Sequence, residues 1–407
     1  MIKEIPGGVC AAKGFRAGSV HCGVKAGSSP EKKDLALILS ERECAAAAVY
    51  TRNRVKAAPI YVTMEHLEKG TAWGVVANSG NANACCPMSH ENALAMCQAA
   101  AQATGRGAED FLVASTGVIG QTIKIDAIRA GVPQAAAALS PEGSDGAARA
   151  IMTTDTVKKE IAVSFDIGGK EVHMGAIAKG SGMIHPNMGT MLAFITTDCA
   201  ISHQMLSEAL AQVAGRTFNR VTVDGDTSTN DTCAVLANGM AENSLIQGEG
   251  EDYDTFLEAL GHVCRHLARA IAADGEGASK LVTCLVSGAR SEENAEALAK
   301  AVVGSSLVKA AMFGADANWG RVLCAMGYSK APFRPEHVDV AFRSAAGEAL
   351  VCRQGDGVDF DEDLAKRVLS QKEVVIAVEL HEGEYSAECW GCDLTYDYVK
   401  INGDYRT

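Results

Sequence analysis

No apolar run in the 407 residues approaches the ~20 that a membrane-spanning helix needs. Met1–Cys10 also lack the charged-then-apolar layout of a secretory signal, so a cytoplasmic protein with no membrane partner is expected. Positive charge is scarce. Against 50 Asp and Glu stand 37 Lys and Arg, a formal net charge of -13, which argues against nucleic acid, since that partner needs a basic face. A small anionic substrate stays open, because one or two local cations suffice for it. There is no internal repeat, low-complexity linker or nucleotide-phosphate loop. The remaining composition, 47% hydrophobic and 21% charged, is that of a globular chain long enough for two or three domains.

The 14 cysteines are scattered, often inside apolar runs, and read as reduced, mostly buried thiols. Cys389 and Cys392 have redox spacing, but a redox pair should open a helix. The sequel Asp393–Ile401 alternates like a strand, so the spacing is read as coincidence. His262 and His266 share a helical face without the glutamate that usually accompanies such a pair. No metal site is expected there.

Hydrophobic periodicity predicts strands over Leu35–Ser40, Cys44–Tyr50, Ala72–Ala77, Phe111–Ser115, Glu160–Asp166, Glu171–Ala178, Met191–Thr197 and Arg220–Val223. Further strands are expected over Lys280–Ser287, His337–Phe342, Glu348–Arg353, Val374–Leu380, Glu384–Trp390 and Leu394–Ile401. Helical patterns cover Glu91–Thr104, Lys124–Leu139, Asp145–Met152, Ser202–Gly215, Tyr253–Ala273, Glu292–Ala311 and Asp361–Ser370. This order predicts an α+β fold of sheets layered against helices.

Four polar segments interrupt the pattern. Asn78–Ala84 follows a buried strand and reads either as an Asx-rich loop or as a pocket wall. Thr116-Gly117 ends another strand and can aim a hydroxyl and a backbone N–H at one point, as an oxyanion hole requires. Asp224–Thr232 lacks any apolar side chain yet lies between strands, which fits a hydrogen-bonded loop near a site. Phe313–Gly320 is another glycine-bounded break.

The most informative stretch is Lys179–Asp198. A glycine-broken loop leads through Gly189-Thr190 into an apolar strand. Taken alone, it is equally a glycine turn before a buried strand. If the chain is cut before Thr190, the new N-terminus carries a hydroxyl nucleophile and an amine base on one residue. An ordinary α-amine, with pKa ~7.7–8.0, is partly neutral at such a site.

Taken together, Lys179–Asp198, Asp224–Thr232, Asp316–Arg321 and the tail Trp390–Thr407 resemble the ornithine acetyltransferase family, also called glutamate N-acetyltransferase or arginine biosynthesis bifunctional protein. The resemblance spans essentially the whole chain. It implies a precursor that cuts itself between Gly189 and Thr190 into chains 1–189 and 190–407, where the family usually has alanine at the first of these positions. It implies a layered sandwich with a smaller C-terminal lobe from about residue 290. It assigns Thr190 as nucleophile and Thr116 and Gly117 as the oxyanion pair. Substrate contacts fall to Thr153 (with Thr154 as its rival), Lys179, Thr190, Glu276, Asn402 and Thr407.

The activity so implied moves acetyl from N-acetylornithine to glutamate through an acetyl-threonine ester. Acetyl-CoA is a potential second donor, with no resident cofactor or metal. The assembly implied is a two-alpha two-beta heterotetramer of the fragments. The competing readings are a self-cutting N-terminal-threonine amidase or aminopeptidase, and a non-catalytic scaffold with a plain Gly-Thr turn.

Overall fold

The computed structural model describes residues 1–25, 27–185 and 191–404. Gly189, Thr190 and Thr407 lie outside the described residues. In chain order the strands are β1 (Lys3–Ile5), β2 (Phe15–Val20), β3 (Leu35–Tyr50), β4 (Thr71–Asn78), β5 (Phe111–Ser115), β6 (Lys159–Ile167), β7 (Lys170–Lys179) and β8 (Leu192–Thr197). There follow β9 (Val221–Thr222), β10 (Thr232–Ala237), β11 (Leu281–Ala289), β12 (Asp339–Ser344), β13 (Gly347–Arg353), β14 (Asp356–Gly357), β15 (Glu373–Glu379) and β16 (Tyr385–Cys392).

Two sheets result. The first has the order β1-β6-β7-β8-β10-β3-β4-β5, with β2 added to β3. The second runs β14-β13-β12-β15-β11-β16-β9. Strands β8 and β10 pair in parallel at the middle of the first sheet, Thr232 opposite Leu192. Every residue of both strands is buried, because helices cover the sheet on each face. Ala193, Ile195, Cys233 and Val235 enter one core, and Leu192, Phe194, Ala234 and Leu236 the other.

The helix Glu251–Ala273 presents Tyr253, Phe256, Leu260, Val263, Leu267 and Ile271 as a buried stripe, with Glu251, Asp252 and Asp254 in its first turn. It shares a core with the helix His203–Arg216, with the first sheet, and with Leu281, Trp390 and Cys392 of the second sheet. That second sheet buries its other face against Ala295, Leu298, Val302, Met312, Val322 and Val368 of four further helices. The architecture is an α+β layered sandwich, as its composition of elements predicted.

Three local readings change. The polar run Glu41–Glu43 does not divide two strands. β3 continues through it with a register shift against β4 between Leu39 and Cys44. The tail reads as a strand over Leu394–Ile401, but the chain turns into a helix, Tyr396–Asp404. The hydroxyl of Thr395 accepts the N–H of Asp397 at 3.2 Å and starts that helix. At Phe313–Gly320 the helix Trp319–Gly327 already begins, capped by Asn318, whose side chain accepts the Arg321 N–H.

Cys389 and Cys392 lie on β16 itself. Three residues apart on a strand, they face opposite sides of the sheet and enter different cores. Burial pushes the Cys389 thiol up to about 12.

Candidate active site

Pairing fixes where β7 ends. Lys179, its last residue, stands opposite Leu192, so the segment after Lys179 and the start of β8 leave the sheet at the same edge. At that edge a cavity is lined by Thr116, Gly117, Ile119, Thr153, Thr154, Lys179, Gly182, Met183, Ser228, Thr229, Asn230, Glu276 and Asn402. Of the site residues expected from sequence, all those that are described meet here: Thr116, Gly117, Thr153, Lys179, Glu276 and Asn402. Thr154 lines the cavity too, so both members of that pair stay in play.

The wall at Thr116-Gly117 is built by the asparagine loop. Asn78 accepts the Ser115 hydroxyl at 2.6 Å and donates to the Asn81 carbonyl at 3.0 Å. Asn81 donates to the carbonyl of Gln121 at 3.0 Å. From the other side Asn230 donates to the carbonyls of Ala82 and Ser115, at 2.6 and 2.8 Å. The loop therefore satisfies its own backbone and also braces the turn 115–121. Gly117 has φ +131, and a Cβ there would come within 2.4 Å of the Gly80 carbonyl carbon. Only glycine fits this close approach.

The floor is a buried ion network. Lys159 bonds Asp155 at 2.8 Å and Asp274 at 2.6 Å, with all three side chains essentially sealed. Asp155 also accepts the N–H groups of Gly180, at 2.7 Å, and Thr153, at 3.0 Å. Burial pushes its carboxyl up, but Lys179 and Lys159 outweigh that and hold it down at about 2. Asp274 in turn takes the backbone N–H and the hydroxyl of Thr156, and its own carbonyl accepts the Ser181 hydroxyl. The network ties Thr153, Gly180 and the end of the long helix into one frame. It leaves the buried Lys179 ammonium facing the cavity.

Glu276, just beyond that helix, is also buried. Its carboxylate packs where a Cβ on Gly182 would fall, 2.3 Å away, and accepts the amide of Asn402 at 2.8 Å. The tail helix reaches this point because Gly277 clears a path for it, a Cβ there meeting the Tyr398 nitrogen at 2.5 Å. The cavity thus holds a cation and a carboxylate, with the neutral donors Asn402 and Thr116 also in its lining. Such a set suits an amino acid, its carboxylate on Lys179 and its ammonium on Glu276.

The polar segment Asp224–Thr232 clamps the strand-connecting loop. Asp224 accepts the N–H groups of Met183 and Ile184 at 2.6 and 2.9 Å, and the Thr227 hydroxyl donates to the His185 carbonyl at 2.8 Å. Burial lowers the His185 imidazole to about 4, which leaves it neutral. By contrast, the block Asp316–Arg321 is absent from the cavity lining. It caps a helix under the second sheet, and Arg321 donates to the carbonyl of Leu307 at 2.9 Å. His262 pairs with Glu4 at 3.2 Å, and among the described residues no group of three His, Cys, Asp or Glu gathers as for a metal.

Sequence reasoning missed Asp155, Lys159 and Asp274, the floor of the site. The acids stand among turn residues, and nothing in their spacing marks them as partners across more than a hundred residues.

The model of the ArgJ family matches residues 16–407. The arginine biosynthesis bifunctional protein ArgJ of Symbiobacterium thermophilum is 54% identical over 404 residues, 99% of each chain. That of Caldanaerobacter subterraneus subsp. tengcongensis is 51% identical over 97% of each. A crystal structure of the Bacillus halodurans arginine biosynthesis bifunctional protein argJ aligns at 47% identity and a TM-score of 0.51, covering 53% of this chain and 100% of that chain.

Proposed function

Because this chain belongs to the ArgJ family of bifunctional arginine-biosynthesis enzymes, we propose that it transfers acetyl from N-acetyl-L-ornithine to L-glutamate through an acetyl ester on Thr190. One observation carries this reading. Lys179, Glu276, Asn402, Thr116 and Gly117 converge on one cavity at the sheet edge where β8 begins, one residue beyond Met191.

In the first step the Thr190 amine takes the proton of its own hydroxyl. The oxygen attacks the acetyl carbonyl, and the Thr116 hydroxyl and Gly117 N–H hold the oxyanion. Ornithine leaves with the proton. Glutamate then binds the same Lys179 through a carboxylate, and its neutral amine attacks the ester carbonyl. As the acetyl C–O bond breaks, the proton that this amine loses passes by way of the Thr190 amine to the Thr190 oxygen, and N-acetylglutamate leaves. Both substrates present a carboxylate to Lys179, and in the first half-reaction Glu276 holds the side-chain ammonium of ornithine. Thr407 is proposed as a further substrate contact. Acetyl-CoA is proposed as an alternative donor that needs only its thioester to reach Thr190. Turnover with acetyl-CoA and glutamate alone tests that arm.

The chains expected are 1–189 and 190–407, held as two of each. The second of these makes up about 54% of this sequence, close to the 53% that the solved Bacillus halodurans chain covers. Free thiols among the described cysteines support a reducing, cytoplasmic setting. An amidase would share the oxyanion wall but gains nothing from the Lys179–Glu276 pair that a water acceptor does not use.

Thr190→Ala is expected to run as a single 42.4 kDa band on a denaturing gel and to form no N-acetylglutamate. Wild type is expected to give two bands, one starting Thr-Met-Leu-Ala. A single-chain Thr190→Ala protein with full activity would refute the proposal.

A further inference from the structure

Asp231 stands immediately before β10 and is 2% exposed. Its carbonyl accepts the Thr51 N–H at 3.1 Å, and the next N–H, of Thr232, donates to the carbonyl of Met191 at 2.9 Å. With Thr232 opposite Leu192 in parallel register, Asp231 is level with Met191. Thr190, which lies outside the described residues, is the covalent neighbour of Met191 in the sequence. Among the described residues nothing hydrogen-bonds Oδ2 of Asp231. A sealed carboxyl oxygen without a partner is costly, and native folds rarely keep one without use. Burial pushes this carboxyl well above the usual range, while Ser228, the Lys179 ammonium, Thr51 and the Met191 backbone pull it down.

Building on the reading of Thr190 as the start of a second chain, we propose that Asp231 is the positioning residue for the Thr190 α-amine. Acyl-transfer sites commonly add to nucleophile and base a third group that orients the base. Here nucleophile and base share one residue, and Asp231 is the acid beside its covalent neighbour. As the Thr190 hydroxyl gives its proton to the amine, its oxygen bonds the acetyl carbon and the carbonyl π pair moves to the oxyanion. The amine becomes an ammonium. The Asp231 carboxylate accepts one of its N–H groups and offsets the charge. When the acetyl C–N bond breaks, the ammonium passes its proton to the departing ornithine nitrogen. Asp231 exchanges no atom with substrate. The charged group that faces it is Lys179, which Asp155 balances from the cavity floor.

The experiment compares the pH profile of acetyl-enzyme formation in wild type and Asp231→Asn, with the chain termini sequenced in both. The acid limb of kcat/KM requires a neutral amine. A neighbouring carboxylate raises the amine's pKa, so in the Asn variant that limb is expected to move down by about one unit or more. The plateau is expected to fall about 10- to 100-fold, the range of a charge-assisted hydrogen bond. Asp231→Glu, which keeps the charge, is expected to restore most of the limb's position. An unmoved limb in the Asn variant overturns the proposal whatever the plateau does. So does a folded Asn variant that stays one chain, because the carboxyl would then be needed before any chain end exists.

If the Asn variant does not fold, the wild-type limb decides. A break at or above the ~7.7–8.0 of an ordinary α-amine supports the assignment, and a break clearly below that range overturns it. Active wild-type protein without the Thr-Met-Leu-Ala terminus sinks the Thr190 reading instead, which keeps the two failures apart.

Discussion

Asp155 and Asp231 are both sealed from solvent, and both feel the Lys179 ammonium. Around Asp155 the fold supplies a direct ion pair with Lys159 and two backbone N–H groups. Around Asp231 it leaves one oxygen without a hydrogen bond among the described residues. The first carboxylate is ionised and holds three chain segments in register. The second lies beside the start of β8, where Ser228, Thr51 and the Met191 backbone favour its charged form but leave one oxygen without a bond among the described residues. A saturated acid is part of the frame, and an unsaturated one is held ready for a charge that appears later.

The largest expected effect that separates the two is on folding. Lys159→Met strands Asp155 and Asp274 without their cation, and denaturant unfolding should show a loss of about 3–5 kcal/mol, the usual result of breaking a buried pair. An equally stable variant would mean that the floor does not depend on its ion network.

Acid gives the next effect. The Asp155 carboxyl is depressed from 3.8 to about 2, so its contribution is complete above about pH 4 and is lost as pH falls toward 2. That contribution is about 2 kcal/mol. Asp155→Asn should flatten the slope of stability against pH in this window, and an unchanged slope would remove Asp155 from the frame.

The smallest effect belongs to Asp231. Because Asn keeps the shape and one accepting oxygen of this side chain, Asp231→Asn should shift unfolding by no more than about 1 kcal/mol. A loss comparable to that of Lys159→Met would make the two carboxylates alike and erase the contrast.

How far the sequence foretold this follows from what each signal depends on. Strand and helix periodicity is local, and the buried run of β8 or the stripe of Glu251–Ala273 could be read directly. The polar loops were legible as well, since Asn78–Ala84 and Asp224–Thr232 combine turn residues with a place between strands. The tail misled because Tyr396–Ile401 fits a period of two as readily as one of 3.6. Its helix is selected by the Thr395 turn and by the room at Gly277. The Asp155–Lys159–Asp274 floor was hidden because its acids come from a loop and from a helix end 119 residues apart. Asp231 was in view only as one more polar residue of a loop. What singles it out is the lack of a partner, which no sequence records.

The order of the first sheet has a consequence for the proposed cut. Residues 190–407 would supply β8 and β10, and these stand between β7 and β3, both from residues 1–189. A break before Thr190 therefore yields no pair of subunits that could drift apart and rejoin. Each fragment is threaded through the other's hydrogen-bond ladder, Met174–Lys179 zipped to Thr197–Leu192 on one side and Ala45–Tyr50 to Ala237–Thr232 on the other. Such a scission would change covalent structure inside a single cooperative body, and pulling the halves apart would mean melting it.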